Sequence, residues 1–355
     1  MIRVGLVGYG LAGRVFHAPL IRSCERLELA AIQSSREAPD RVDSFDELLA
    51  ACDLVVIASP NQTHFPLANR ALEAGKHVVI DKPFTVTVED ADALIATAKR
   101  TQRVLTVFHN RRWDSDYLTL KRVIPRLGSI ALFEAHWDRF RPAIKEGWRE
   151  SDEPGGGVWY DLGPHMLDQA LQLFGIPDAL SADILAQRPD AKTADYFDVT
   201  LHYGRARAVL RASALVTAPR PRFAVYGTEA AYLKWGLDPQ EGSLNRGADP
   251  LEPDFGTDAR TGTLTFPDGS VEDVPNERGD YRSFYEAVAA SILDGAPVPV
   301  DPRDARDGLA LISLARLAAE EQRTVPVPGQ VRGLEPELMA GAADANCPVE
   351  SSPEA

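Results

Sequence analysis

Ile2-Arg3-Val4-Gly5-Leu6-Val7-Gly8-Tyr9-Gly10-Leu11-Ala12-Gly13 opens the chain as an apolar run that breaks into spaced glycines. The run predicts a buried strand, and residues 14–22 predict a helix leaving the turn. A strand that feeds a helix through this glycine spacing turns the helix N-terminus toward an anion, as a dinucleotide pyrophosphate requires. Gly8 permits the tight turn, Gly10 keeps a side chain out of the ligand's way, and Gly13 lets helix and strand pack closely. The predicted contact set is Gly8, Gly10, Leu11, Ala12 and Gly13.

Working outward, the chain has 355 residues, 45% of them hydrophobic and 25% charged, enough for a substantial core and two domains. A formal charge of −14 argues against a nucleic-acid or anionic-membrane partner, since both need a basic surface. No uninterrupted apolar segment approaches the roughly 20 residues of a membrane helix. The apolar start is short, broken by glycine and explained as a strand, so no signal peptide is expected. Cys24, Cys52 and Cys347 are too few and too scattered for a disulfide framework or a zinc site. The expected compartment is the cytoplasm.

The second strand spans residues 27–33, and the residues at its carboxyl end select the dinucleotide. An acidic residue about 20 positions beyond the glycines would hold a ribose 2′-hydroxyl. Here the residues are Gln33-Ser34-Ser35-Arg36. Two hydroxyls and a guanidinium suit a 2′-phosphate, so Ser34, Ser35 and Arg36 point to NADP. The other reading keeps the serines as loop caps and Glu37 for the ribose of NAD.

Strands at residues 53–58, 77–80 and 104–108 alternate with helices at 63–74 and 86–100, as a doubly wound parallel sheet requires. The carboxyl end of such a sheet is the ligand crevice. Ser59-Pro60-Asn61-Gln62-Thr63-His64 and Asp81-Lys82-Pro83-Phe84 both lie there. Lys82 would bring an ammonium beside the cofactor.

Downstream, Gly155-Gly156-Gly157-Val158-Trp159-Tyr160-Asp161-Leu162-Gly163-Pro164-His165 predicts a helix with Asp161 and His165 on one face, four residues apart. Taken alone, such a pair is equally a helix cap and a satisfied core histidine. Beyond Ile124 the rhythm turns to strands at residues 130–137, 197–203, 206–215 and 222–226. Residues 237–262, rich in Gly, Asp, Pro and Glu, predict an excursion over the surface that forms a lid rim. Helices are expected at residues 281–293 and 304–321, and a disordered tail over 341–355.

These motifs, in this order and separation, resemble the glucose-fructose oxidoreductase and inositol dehydrogenase (Gfo/Idh/MocA) family over residues 3–323. Arg14-Val15-Phe16-His17-Ala18-Pro19-Leu20, His109-Asn110-Arg111-Arg112-Trp113-Asp114 and Asp161-Leu162-Gly163-Pro164-His165 are most similar to its NADP-dependent scyllo-inositol dehydrogenase branch. The commoner Glu-Lys-Pro of the family is Asp81-Lys82-Pro83 here, which keeps the lysine.

The resemblance implies an α/β protein: a Rossmann doubly wound parallel sheet over residues 1–119 and an α+β domain with a large open, mostly antiparallel sheet over 120–332. Residues 333–355 would form the tail. It implies that Lys82 contacts substrate oxygen and nicotinamide ribose, with a cis bond to Pro83, and that Asp161 and His165 form the substrate-side pair. Ser59, Pro60, Asn61, His64, Pro83 and Asn110, the last with Arg111 beneath the nicotinamide, would join the cofactor site, and Trp148 and Arg149 would reach it from the second domain. Read from the residues themselves, Arg111, Arg112, Trp113, Asp114 and Tyr281 are candidates to line a hydroxyl-rich substrate pocket. The resemblance implies a homodimer or higher homo-oligomer across the open sheet; a polar, solvated sheet face is the alternative.

The resulting expectation is a dehydrogenase/reductase that interconverts a secondary alcohol of a cyclitol or sugar with its ketone, using NADP or, less suitably, NAD. An imidazole near its free pKa of about 6.5 suits the hydroxyl proton, so His165 is the predicted acid/base. Lys82 would stabilise the developing alkoxide and Asp161 would orient substrate or His165. No third ligand accompanies Asp161 and His165, so no metal is expected. A dinucleotide-sensing regulator and a nicotinamide-dependent glycosidase are the other readings.

Overall fold

The structure, a computed structural model, describes residues 1–144, 150, 156–329 and 331. The Trp148 and Arg149 expectations, and that of the 341–355 tail, lie outside the described residues. Strand β1 (Ile2–Val7) is buried at every position except Arg3, because its valines and leucines are covered by helices on both faces. It pairs in parallel with β2 (Leu27–Gln33) on one side and β4 (Leu54–Ile57) on the other. With β3 (Arg41–Val42), β5 (His77–Asp81) and β6 (Leu105–Phe108) the sheet is six-stranded, ordered β3-β2-β1-β4-β5-β6. That order reverses direction at β1 and β4, which opens a crevice at their carboxyl ends.

The helices around this sheet begin where capping residues dictate. Helix α1 (Ala18–Arg22) continues the turn after β1. Helix α2 (Phe45–Ala51) starts at Ser44, whose side chain accepts from Glu47 N–H. Helix α3 (His64–Glu73) starts beside the Ser59 loop, and α4 (Val88–Thr101) starts at Thr87, whose hydroxyl accepts from Asp90 N–H. Each cap satisfies an otherwise orphaned amide. The helix expected over residues 14–22 differs in its first part: Ala12–His17 form a wide π-turn, with Ala18 N–H bonded to Gly13 O.

Helix α5 (Ser115–Val123) leads into a second, nine-stranded sheet. It comprises β7 (Ile130–His136), β8 (Ala179–Leu185), β9 (Tyr196–Tyr203), β10 (Ala206–Ser213), β11 (Phe223–Gly227), β12 (Ala231–Lys234), β13 (Gly262–Thr265), β14 (Val271–Val274) and β15 (Val325–Pro326). Only the β7/β10 pair is parallel; the other pairings described are antiparallel. Helix α6 (Val158–Phe174) packs against β9 and β10 on the inner face, burying Trp159, Leu162, Met166 and Leu167.

Residues 237–262 run over the surface as expected only in part: 245–254 are mostly exposed turns, whereas 237–244 fold inward. The stretch carries a short helix, α7 (Gln240–Asn245), with Gln240, Leu244 and Phe255 buried. The reason is polar: Asp238 Oδ2 accepts from Ser115 N–H at 2.7 Å, and the Gln240 amide donates to Trp113 O at 3.0 Å. Helix α8 (Arg282–Asp294) packs its Phe284, Tyr285 and Val288 into the core of the first sheet. Helix α9 (Pro302–Glu321) spans both cores, lying against β8 and α6 as well as α4.

Candidate active site

A cleft of about 1040 Å³ runs along the carboxyl ends of the first sheet. The glycines divide the labour expected of them. Gly8 has φ +96°, and a Cβ there would lie 2.5 Å from Ala58 O. A Cβ on Gly13 would lie 2.0 Å from Gly8 O, whereas one on Gly10 would meet nothing within 4 Å. Gly8 and Gly13 are therefore required by the chain itself, and Gly10 borders open cleft where a pyrophosphate can approach. Leu11 and Ala12 line the same wall.

At one end the cleft is lined by Ser34, Ser35 and Arg36, together with Arg14 and Arg41, which sequence reasoning left out. Ser34 Oγ accepts from Arg36 N–H at 3.0 Å, and the Arg36 guanidinium has no partner among the described residues. Ser59, Pro60, Asn61 and Pro83 line the middle. His64 borders the cleft as well, but its buried ring faces the carbonyl oxygens of Pro83 (2.9 Å) and Ser59 (3.0 Å). It ties two cofactor-side loops together.

At the other end stands Lys82, at the end of β5 and joined to Pro83 by a cis bond. Its Nζ donates to Asp161 O at 2.8 Å and to Asp161 Oδ1 at 3.3 Å. Asp161 occupies the first turn of α6, and His165 sits one turn later. The His165 ring is buried 6.3 Å from the Trp137 ring and 6.5 Å from the His109 ring. Its Nδ1 has no hydrogen-bond partner among the described residues. Burial first, then the positive charges of Lys82 and Arg111, push its pKa well below 6.5. The ring is thus a neutral base.

Behind His165, the Arg111 guanidinium lies 4.5 Å above the Trp137 ring, donates to Tyr281 OH at 3.1 Å and pairs with Glu241 of α7. Burial pushes the Glu241 carboxyl up, but Arg111 and Arg139 outweigh it and hold the group below the usual range. Tyr281 OH donates to Asp114 Oδ1 at 2.6 Å; burial raises that carboxyl well above its ordinary value despite Arg111. Glu241 and Trp137 were missed in the sequence. Trp137 carried no motif, and Glu241 sits in a stretch whose composition resembles a surface loop.

Other expected residues are spent on structure. Trp113 packs edge-on against Phe284, with ring centroids 5.7 Å apart. Asn110 is buried in the short turn after β6. Neither lies among the residues lining the cleft. Arg112, also considered for a hydroxyl-rich pocket, is bonded to Asp168 and Asp304 and straps α6 to α9. Among the described residues no cluster of His, Cys, Asp or Glu can hold a metal ion.

Two family models match the chain: the NAD-binding Rossmann fold of an oxidoreductase family over residues 2–109, and the C-terminal alpha/beta domain of the same family over residues 121–327. The chain is 44% identical to the oxidoreductase YdgJ of Escherichia coli K12, covering 91% of this chain and 98% of that protein. It is 36% identical to the scyllo-inositol 2-dehydrogenase (NADP(+)) IolW of Bacillus subtilis, over 91% and 95% of the two chains. Among solved structures, the oxidoreductase YvaA from Bacillus subtilis superposes with a TM-score of 0.89 at 36% identity, covering 92% of this chain and 98% of that one.

Proposed function

The chain belongs to the Gfo/Idh/MocA oxidoreductase family, and from that premise we propose that it interconverts a secondary alcohol of a cyclitol or sugar with its ketone, preferring NADP. That it is an NAD(P)-binding dehydrogenase/reductase follows from the family and its relatives. The substrate class rests on one observation, the Lys82–Asp161 pair at the cleft end with His165 buried one helical turn further along α6, beside a relative whose name gives scyllo-inositol and NADP(+).

The residues lining the cleft fit a dinucleotide. Gly10 leaves the approach to the turn open, Ser59 and Asn61 flank the middle, and Arg36 with Ser34 and Ser35 offers donors for a 2′-phosphate. When bound, the nicotinamide supplies the acceptor for the hydride that leaves the carbinol carbon. Neutral His165 takes the hydroxyl proton as that electron pair departs. The Lys82 ammonium, held by Asp161, hydrogen-bonds the oxygen on which negative charge develops. Burial keeps that charge away from bulk water, which strengthens the interaction. Reduction runs through the same groups in reverse.

Two further readings accompany this one. The open face of the second sheet carries the Glu134–Arg211–Asp198 ion pairs beside Tyr226, which is 40% exposed, and a second copy of the chain is the proposed cover. Cys24 and Cys52 are buried free thiols, with burial pushing Cys52 up to about 11; such inert thiols suit a cytoplasmic protein. No helix among the described residues is long and apolar enough to cross a membrane.

The test is NADPH formation from NADP and a panel of inositol isomers, free sugars and glycosides. Steady net NADPH formation with a free polyol is expected. Cleavage of glycosides without net NADPH would make the protein a glycosidase, and tight NADPH binding with no turnover of any kind would make it a sensor.

A further inference from the structure

The segment Arg14-Val15-Phe16-His17-Ala18-Pro19-Leu20 contributes Arg14 to the cleft, but its histidine has no part in the chemistry above. His17 is fully buried in the π-turn that leaves the glycine loop. Its Nδ1 is 2.6 Å from Tyr285 OH of α8, and its Nε2 is 3.7 Å from Asp81 Oδ2. Asp81 in turn accepts from Lys82 N–H at Oδ1, at 2.8 Å. The Phe108 ring, 4.4 Å from His17, walls the contact off.

The chemistry of the two neighbours assigns the ring nitrogens. The Asp81 carboxylate can only accept, so the nitrogen facing it, Nε2, carries a proton. Tyr285, whose pKa burial and the Asp81 charge raise well above its ordinary value, keeps its own proton and can donate it to Nδ1. Burial alone would raise the Asp81 carboxyl, but His17 and Lys82 beside it hold it below its ordinary value. A separation of 3.7 Å is longer than a hydrogen bond, and catalytic contacts commonly tighten in the Michaelis complex.

We propose that His17 is a positioning residue which, through Asp81, fixes the backbone and charge environment of Lys82, so that the helix leaving the cofactor loop sets the placement of the catalytic ammonium. Tyr285 anchors the other ring nitrogen. A wide π-turn brings the ring to this place, and such turns recur at functional sites. The proposal rests on the role given to Lys82 under the proposed function.

Two substitutions separate this role from packing. His17→Gln keeps an N–H near the Nε2 position, toward Asp81, and gives up the acceptor for Tyr285. His17→Asn keeps a polar atom near Nδ1, toward Tyr285, and gives up the reach to Asp81. The relay predicts that His17→Asn lowers kcat at least about tenfold with KM and NADPH affinity little changed, while His17→Gln keeps most of the turnover. A purely structural histidine anchored by Tyr285 predicts the reverse order, and that result, or equal losses in both, overturns the proposal.

A second readout needs no substrate. The rate at which an amine-directed reagent labels Lys82, followed by peptide mass, should rise several-fold in His17→Asn and stay near wild type in His17→Gln. Equal labelling in all three proteins overturns the relay. Wild-type protein that turns over no polyol, yet shows the expected labelling order, would instead count against the substrate reading alone.

Discussion

Lys82 Nζ and the main-chain oxygen of Asp161 are 2.8 Å apart, joining the end of β5 in the first sheet to the first turn of α6 on the second. The two domains therefore meet at the lysine, and the Asp161 carboxylate, 3.3 Å away, completes its hold. Asp161→Ala removes the carboxylate and leaves the main-chain contact. The expected result is a fall in kcat of about ten- to a hundredfold with NADPH affinity unchanged, read by steady-state kinetics and fluorescence titration.

The glycine turn gives a contrasting pair. Gly13→Ala forces a Cβ to within 2.0 Å of Gly8 O, a main-chain atom that cannot yield without moving the turn. A loss of about 1–3 kcal/mol in folding stability is expected, with weakened dinucleotide binding. Gly10→Ala puts its methyl into open cleft, so thermal stability should hold while NADPH binding weakens about tenfold or more. Denaturant unfolding beside cofactor titration checks both.

Much of this was legible because it is local. The glycine spacing and the alternation through Phe108 are short-range patterns, and the parallel sheet tracks them strand by strand. Gly8 and Gly13 have the structural reasons the motif requires. The features that escaped are long-range. Glu241 reaches Arg111 because Asp238 and Gln240 turn residues 237–245 inward to satisfy the amide of Ser115 and the carbonyl of Trp113. Gly and Asp in a sequence signal a turn equally well whether it faces solvent or a buried helix end. Arg112 and Trp113 are the two residues after Arg111 in the chain but point to Asp168 and to Phe284, which closeness in sequence cannot reveal.

In the proposed function Arg36 is the residue that selects NADP. It lines the cleft without a side-chain partner among the described residues, beside Ser34 and Ser35. Arg36→Ala should weaken NADPH binding by about ten- to a hundredfold, the worth of a charged hydrogen bond, and leave NADH binding unchanged. Equal affinity for both cofactors in the wild type would leave the serines as loop caps.

In the proposed mechanism the pH dependence comes from His165. Oxidation needs the unprotonated imidazole, and burial beside Lys82 and Arg111 pushes its pKa well below 6.5. A lowered pKa keeps the base form down to lower pH, so the acid limb of kcat/KM for alcohol oxidation should lie below about pH 6.5. His165→Asn should cost roughly 10²–10⁴ in rate and abolish that limb. A limb above about pH 6.5 that survives the substitution belongs to another group.

The central claim is that the Lys82 ammonium stabilises the oxygen of a polyol substrate while the dinucleotide cleft binds independently of it. Turnover of NADP with scyllo-inositol and NADPH binding, measured together on the wild type and Lys82→Met, test it most directly. The account predicts turnover in the wild type, a drop of roughly a hundredfold or more in the variant, and NADPH affinity preserved. Undiminished turnover in Lys82→Met would contradict it.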